Sequence, residues 1–211
     1  MGDMIMKIKS PPATTLINRY SLSAHRESFM TESEQEIHVI LKGFKMQSIV
    51  SLDDVLAALH WVPGRHLAGL KAIIYDPDRC YDPSPGAQRV DGHSSLKAQY
   101  QGSERTIIIY CFDDSERFYH LLFHELGHYV FYHVLGSRLK KQWVTTLFRG
   151  SPSISEYGAR NASEDFAESY AAYILENTRF STLRDKYRFM HEGVFDRNLP
   201  VNVQRRLNKS I

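Results

Sequence analysis

The feature that most constrains the fold is a helical pattern after Cys111 whose apolar residues surround nearly the whole helix axis. Asp113 can cap this helix, and Glu116 can close a capping box at its first turn. Because apolar side chains cover most of its circumference, the helix has to be enclosed by other parts of the chain. The residues that carry the pattern are Phe118, Leu121, Leu122, Leu126, Tyr129 and Val130.

Short apolar runs rich in β-branched residues precede that helix and predict strands. Residues 70–75 (LKAIIY) and 106–111 (TIIIYC) are the clearest, and we expect residues 95–100 to form a further strand. A turn at residues 101–103 would join the last two strands as a hairpin. Strands followed by helices are typical of an α+β fold.

Two further helix starts are visible on either side of this central region. Ser51 and Asp54 form a capping box before a short amphipathic segment, and Asn161 with Glu164 opens a later helix. The first part of the chain has only weak, mixed periodicity. We therefore predict an N-terminal segment of unassigned fold over residues 1–48 and one domain over residues 49–211.

Composition limits the classes of partner. The chain has 211 residues, 43% of them hydrophobic, which is enough for a substantial core. Its formal net charge of +2 favours neither a nucleic-acid partner nor attachment to a membrane surface. We find neither a signal peptide nor an apolar membrane span, so a cytoplasmic location is expected, with export by a signal-less route left open. Cys80 and Cys111 are predicted to be reduced thiols.

The buried helix contains the run HELGH, from His124 to His128, which places two imidazoles one turn apart on one face. Burying two histidines and Glu125 without partners costs several kcal/mol, so a metal ion or other compensating groups are required. Two imidazole nitrogens suit Zn²⁺, and Glu125 is placed to act as the catalytic base. Glu164 and Glu168, one turn apart on a later helix, both remain candidates for the third ligand. A chance five-residue match is the alternative.

The spacing of the later residues makes the pattern more specific. Tyr157-Gly158 is followed by Asn161 and then by the run EDFAE, from Glu164 to Glu168. The tyrosine lies seven residues before the first glutamate of this run, and the second glutamate lies four residues after it. With HELGH, this arrangement resembles the catalytic domain of anthrax lethal factor and the related Pro-Pro endopeptidases. The resemblance covers roughly residues 106–190.

The resemblance implies a zincin-like fold, with a small twisted mixed β-sheet packed on the HExxH helix and a helical C-terminal part. It implies one catalytic Zn²⁺ bound by His124, His128 and Glu164, with Glu125 as general base. The corresponding activity is that of a zinc-dependent endopeptidase acting on a peptide or protein substrate.

Two further roles follow from the same resemblance. Tyr157 is implied as the donor to the oxyanion, and Glu168 as the acceptor of the other ring N–H of a liganding histidine, with His124 favoured. The alternatives are that Tyr157 is an ordinary packed aromatic residue and that Glu168 is a solvated charge on a helix face.

Two other functions remain open at this point. A repressor-cleaving metallopeptidase of bacteria or phage also combines HExxH with a later acidic helix. A non-catalytic zinc-binding regulatory module would be expected to close its metal site with four protein ligands. A peptidase instead keeps the fourth position free of protein side chains.

Overall fold

The computed structural model describes residues 25–30, 36–77 and 97–197. Five strands in this part form one mixed sheet in the order β1-β2-β3-β5-β4. The sheet and the helices that follow it confirm the predicted α+β class. The strands are β1 (His25–Met30), β2 (Glu36–Lys42), β3 (Ala72–Tyr75), β4 (Ala98–Gln101) and β5 (Thr106–Ile109).

The centre of the sheet is parallel and buried on both faces. β3 pairs in parallel with β5, with Ile73 beside Ile107 and Ile74 beside Ile108, and none of these four side chains is exposed to solvent. Strands covered on both sides are continuously apolar, which is the pattern that predicted them. β4 pairs antiparallel with β5 as the predicted hairpin and forms one edge of the described sheet.

Two strands come from the segment that the sequence left unassigned. β1 and β2 pair antiparallel, and β2 continues the sheet by pairing in parallel with β3, where Ile40 lies beside Ala72. The sheet therefore spans the boundary that we predicted at residue 48. Residues 1–24 lie outside the described part of the chain.

The central helix, α2 (Ser115–Tyr129), is as deeply buried as its sequence predicts. Its cap differs by one residue from the prediction. The side chain of Asp114, rather than that of Asp113, accepts a hydrogen bond from the backbone N–H of Arg117. Asp114 has the extended backbone that a capping residue needs, because its carboxylate can then reach the free amides of the first turn.

Helix α2 packs mainly against a later helix, Ala162–Leu175, and also contacts strands β4 and β5. The capping boundaries predicted at Ser51 and Asn161 are confirmed. π-helical turns at Val130–Val134, Trp143–Leu147 and Phe189–Val194 continue three of the helices. No helix in the described ranges is both long and apolar enough to cross a membrane. The helices are α1 (Leu52–Leu59), α3 (Ser137–Gln142), α4 (Ala162–Leu175), α5 (Asn177–Phe180) and α6 (Arg184–Arg188).

The contact between α2 and α4 is unusually close at Gly127. A methyl group added to Gly127 would lie 2.8 Å from the Cα of Ala167 and 3.1 Å from the Cβ of Tyr170. Glycine is therefore needed here for the approach of two helices rather than for an unusual backbone angle. This contact brings the histidines of α2 to the acidic side chains of α4.

The prediction of a reduced thiol at Cys111 is wrong, because this residue is disulfide-bonded. A disulfide depends on two cysteines meeting in the folded chain, and the spacing along the sequence does not report that proximity. Cys80 lies outside the described residues.

Candidate metal centre

Three of the predicted side chains converge between α2 and α4. His124 and His128 lie one turn apart on the same face of α2, as their spacing requires. Glu164 lies in the first turn of α4, where the side chain of Asn161 caps the helix by accepting the backbone N–H groups of Ser163 and Glu164. The cap thus fixes the start of α4 at the point where Glu164 meets the histidines.

The ligand atoms of these side chains form a nearly equilateral triangle. Nε2 of His124 and Nε2 of His128 are 3.1 Å apart, and each lies 3.2 Å from Oε2 of Glu164. Tetrahedral zinc with bonds of about 2.0–2.1 Å separates its ligand atoms by about 3.3–3.4 Å. The triangle therefore has the dimensions and donor types that could hold a metal ion such as Zn²⁺.

Glu168 lies behind His124 and contacts its other ring nitrogen. Oε1 of Glu168 is 2.8 Å from Nδ1 of His124, and both side chains are almost completely buried. Although burial acts in the opposite direction, hydrogen bonds from His120 and His124 hold the pKa of Glu168 well below its usual range. An ionised carboxylate can only accept, so His124 keeps a proton on Nδ1, and Nε2 is the ring nitrogen that can give its lone pair to a metal ion.

The charges of the metal-free site are strongly coupled. Burial opposes the positive charge on His124, yet hydrogen bonds to Glu164 and Glu168 raise its pKa to about 9. Burial likewise opposes the charge on Glu164, but hydrogen bonds with His124 and His128 lower its pKa to about 2. In the metal-free chain at neutral pH, the carboxylates are therefore ionised and His124 is protonated.

Glu125 occupies the position between the two histidines in sequence and is 7% exposed. Burial raises the pKa of its carboxyl group, against the opposing effect of His124 and His128. The backbone amide of Tyr100, on the edge strand β4, forms a hydrogen bond with the same carboxyl group. A buried carboxyl group with a raised pKa is well suited to taking up and releasing a proton near neutral pH.

Tyr157 lies beside the triangle but remains 45% exposed. Its ring centroid is 5.7 Å from that of His124, and the guanidinium of Arg160 lies 4.5 Å from the ring. Burial and the nearby Glu164 and Glu125 raise the pKa of the phenol. The hydroxyl group is therefore protonated at neutral pH and able to donate a hydrogen bond.

The structure adds contacts that the sequence did not predict. Ser155 donates to Oε2 of Glu168 at 2.7 Å, and Nε2 of His120 lies 3.5 Å from Oε1 of the same carboxylate. The only sequence signal for Ser155 is a serine three residues before Gly158, which is typical of a serine turn but common in loops. His133, the other histidine of this region, packs against Tyr129 away from the triangle.

The comparisons with known proteins give no relative. No protein-family profile, curated protein or solved structure matches this chain.

Proposed function

We propose that this chain is a zinc-dependent endopeptidase with a zincin-like fold, similar to the lethal-factor and Pro-Pro endopeptidase group. The observation that carries the proposal is the triangle of His124, His128 and Glu164, with Glu125 buried beside it. The donor types, their separations and the neighbouring carboxylates support the proposal, because metal-assisted hydrolysis needs metal ligands and a proton acceptor side by side.

In this proposal, His124, His128 and Glu164 hold one zinc ion. When bound, zinc supplies Lewis-acid polarisation of the scissile carbonyl group and lowers the pKa of a water molecule. Glu125 takes the proton from the attacking water and then delivers it to the leaving amine. The raised pKa of Glu125 supports the first step, because a more basic carboxylate takes the proton from water more readily. The leaving amine is more basic than any carboxylate and can still receive that proton in the second step.

Tyr157 has the role of donor to the oxyanion that develops on the scissile carbonyl group. Its neutral phenol lies next to His124 and is accessible from solvent, as a group that meets substrate must be. Arg160 over the ring adds positive charge near the same position. A donor fixed by packing acts without the reorganisation that solvent would need.

The substrate is proposed to be an extended peptide segment that pairs with β4. This strand is an edge of the described sheet, and Tyr100 in it hydrogen-bonds Glu125 through its backbone amide. The edge strand of a sheet can bind an added strand by main-chain hydrogen bonds. A peptide at this edge would lie with its backbone next to the catalytic carboxyl group.

The catalytic proposal is preferred to a structural zinc module because the ligand group identified in the described residues has three members rather than four. Structural zinc sites are normally closed by four protein ligands. The repressor-cleaving class shares the metal chemistry, and Tyr157 is the residue that separates it from the proposed group. The Tyr157 variant described in the Discussion therefore also tests this alternative.

The direct test combines metal analysis of the purified protein with cleavage of a peptide library. We expect one zinc per chain, hydrolysis of internal peptide bonds and loss of both with a chelator. Glu125→Gln should keep zinc and the fold but abolish hydrolysis, because the amide cannot accept a proton from water. Near-wild-type cleavage by Glu125→Gln would refute the assignment of the base, and a chain without zinc would refute the metal centre.

A further inference from the structure

We propose that Ser155 is a positioning residue that links the turn carrying Tyr157 to the carboxylate behind His124. The catalytic part of this proposal rests on the proposed function. The effect of Ser155 on zinc affinity depends on the metal centre alone. Ser155 contacts neither the triangle nor the phenol of Tyr157 in the contacts described above, so it would act through other groups.

The direction of each hydrogen bond at Ser155 is settled by its partners. The backbone N–H of Gly158 can only donate, and its partner is Oγ of Ser155 at 3.0 Å. The hydroxyl group of Ser155 in turn donates to Oε2 of Glu168 at 2.7 Å. The single hydroxyl group therefore joins the backbone next to Tyr157 to the side chain of Glu168.

Both oxygens of Glu168 are thereby held from different elements. Ser155 occupies Oε2, and the Nδ1–H of His124 occupies Oε1. A carboxylate held at both oxygens cannot rotate freely, so the ring plane of His124 and the direction of its Nε2 lone pair are fixed. Without Ser155, the carboxylate keeps His124 and the longer contact with His120 at Oε1 but loses the hydrogen bond at Oε2 that limits its rotation.

The turn that contains Ser155 also packs directly on α4. A methyl group added to Gly158 would lie 3.4 Å from the Cα of Asp165 and 3.5 Å from the Cβ of Glu168. The turn thus lies against the helix surface, and its hydrogen bond to Ser155 holds the amide that immediately follows Tyr157. The same hydroxyl group consequently constrains the backbone on which the phenol is placed.

Removing a partner in the shell behind the ligands typically weakens metal binding or activity by about 10- to 100-fold. Ser155 lies one contact further from the metal than Glu168, so we expect Ser155→Ala to weaken zinc binding by about tenfold. Ser155→Thr retains the hydroxyl group and should bind zinc with nearly wild-type affinity. The control is Ser181→Ala, which removes a serine hydroxyl bonded to the carbonyl of Thr178 far along the chain from the site.

The experiment is a zinc titration of the full chain in competition with a chromophoric chelator, with thermal unfolding measured on each variant. Ser155→Ala should add no further loss in a Glu168→Ala background, because the group through which Ser155 acts is then absent. Zinc affinity of Ser155→Ala within twofold of wild type would overturn the proposal. Additive losses in the double variant, or an equal loss in Ser181→Ala, would also overturn it.

A kinetic measurement separates this proposal from the proposed function. Ser155→Ala at saturating zinc should lower kcat with little change in KM, and its effect should be smaller in a Tyr157→Phe background. If wild-type protein binds zinc but cleaves no peptide, the proposed peptidase function fails while the zinc titration still tests Ser155. If wild-type protein binds no zinc, the metal centre is refuted, and the role of Ser155 is refuted with it.

Discussion

Gly127→Ala tests whether the close approach of α2 and α4 creates the metal centre. The added methyl group would lie 2.8 Å from the Cα of Ala167 and 3.2 Å from the carbonyl oxygen of the same residue. Carbon atoms in favourable contact are about 3.5–4.0 Å apart, so the helices have to separate locally by about 0.7 Å or more. Both obstructing atoms belong to the backbone and cannot rotate away.

The expected change in stability is the difference between two terms. Overpacking of this kind costs about 1–3 kcal/mol, and replacing glycine by alanine within a helix returns about 1 kcal/mol. The net loss in unfolding free energy of the metal-free protein should therefore be about 1 kcal/mol, which lowers Tm by about 2–4 °C for a domain of this size.

The effect on zinc binding should be larger than the effect on folding. The ligand atoms of His124 and His128 lie 3.2 Å from that of Glu164 across the two helices, whereas zinc tolerates ligand displacements of about 0.2 Å. The metal-free protein can relieve part of the clash by separating the helices, but binding zinc draws them together again. If the strain of about 1–3 kcal/mol returns on binding, zinc affinity falls by about 5- to 150-fold.

The assay is a competition titration with zinc, together with thermal unfolding of the metal-free and zinc-loaded proteins. Gly150→Ala is the matched control, because Gly150 lies in a helical turn and a methyl group there meets nothing within 4 Å. The control should bind zinc as the wild type does. Zinc affinity of Gly127→Ala within twofold of wild type would refute the reasoning that this contact sets the separation of the ligands.

Two further predictions concern the chemistry of the site. Tyr157→Phe keeps the ring but removes the hydroxyl donor, so kcat should fall by about 10²- to 10³-fold. Zinc content, KM and Tm should stay nearly unchanged. An unchanged kcat would assign Tyr157 to packing and favour the repressor-cleaving class. The pKa of His124 in the metal-free chain is about 9, so zinc has to displace a proton from this residue at neutral pH. The apparent affinity for zinc should therefore strengthen by up to about tenfold per pH unit from pH 6 to 8. Calorimetry in buffers of different ionisation enthalpy should detect the released proton, and affinity that is flat over this range would contradict the protonation of His124.

The local parts of the fold were predictable because their causes are local. The capping box of Ser51 and Asp54 depends on side chains and amides within one turn, and it occurs as the sequence predicts. The apolar runs that became β3 and β5 are continuous because both faces are covered. The cap of α2 was misplaced by one residue, since Asp113 and Asp114 have the same chemistry and only the backbone angles distinguish them.

The remaining features depend on contacts between distant segments. In β1, exposed residues alternate with residues that are less exposed. Its sequence, His25–Met30, nevertheless has only two large apolar side chains, Phe29 and Met30. Its assignment as a strand follows from pairing with β2 rather than from its own pattern. For the same reason, the resemblance implied Glu168 beside His124, but the sequence did not identify Ser155, whose contact depends on where a loop meets α4.

The geometry of α2 and α4 also explains why Glu164, rather than Glu168, lies where it could join both histidines in holding a metal ion. Histidines at positions 120, 124 and 128 form one stripe of α2, and Glu164 and Glu168 form one stripe of α4. The later histidine, His128, meets the earlier glutamate, Glu164, while the earlier histidine, His120, meets the later glutamate, Glu168. The two stripes therefore run in opposite senses, and His124 lies between the two carboxylates.

This arrangement contains two overlapping sets of two histidines and one glutamate, but the described residues converge in only one of them. The rings of His124 and His128 lie at 84° to each other, with both Nε2 atoms directed at Glu164. The rings of His120 and His124 are instead stacked at 22° with centroids 6.1 Å apart, and His124 presents Nδ1 to Glu168. Because His124 directs Nε2 at Glu164, only its Nδ1 remains for Glu168. The set with Glu164 can therefore bind zinc, while Glu168 orients the ring of His124. Glu164→Ala should consequently abolish zinc binding, and zinc retained at one ion per chain would transfer the ligand role to Glu168.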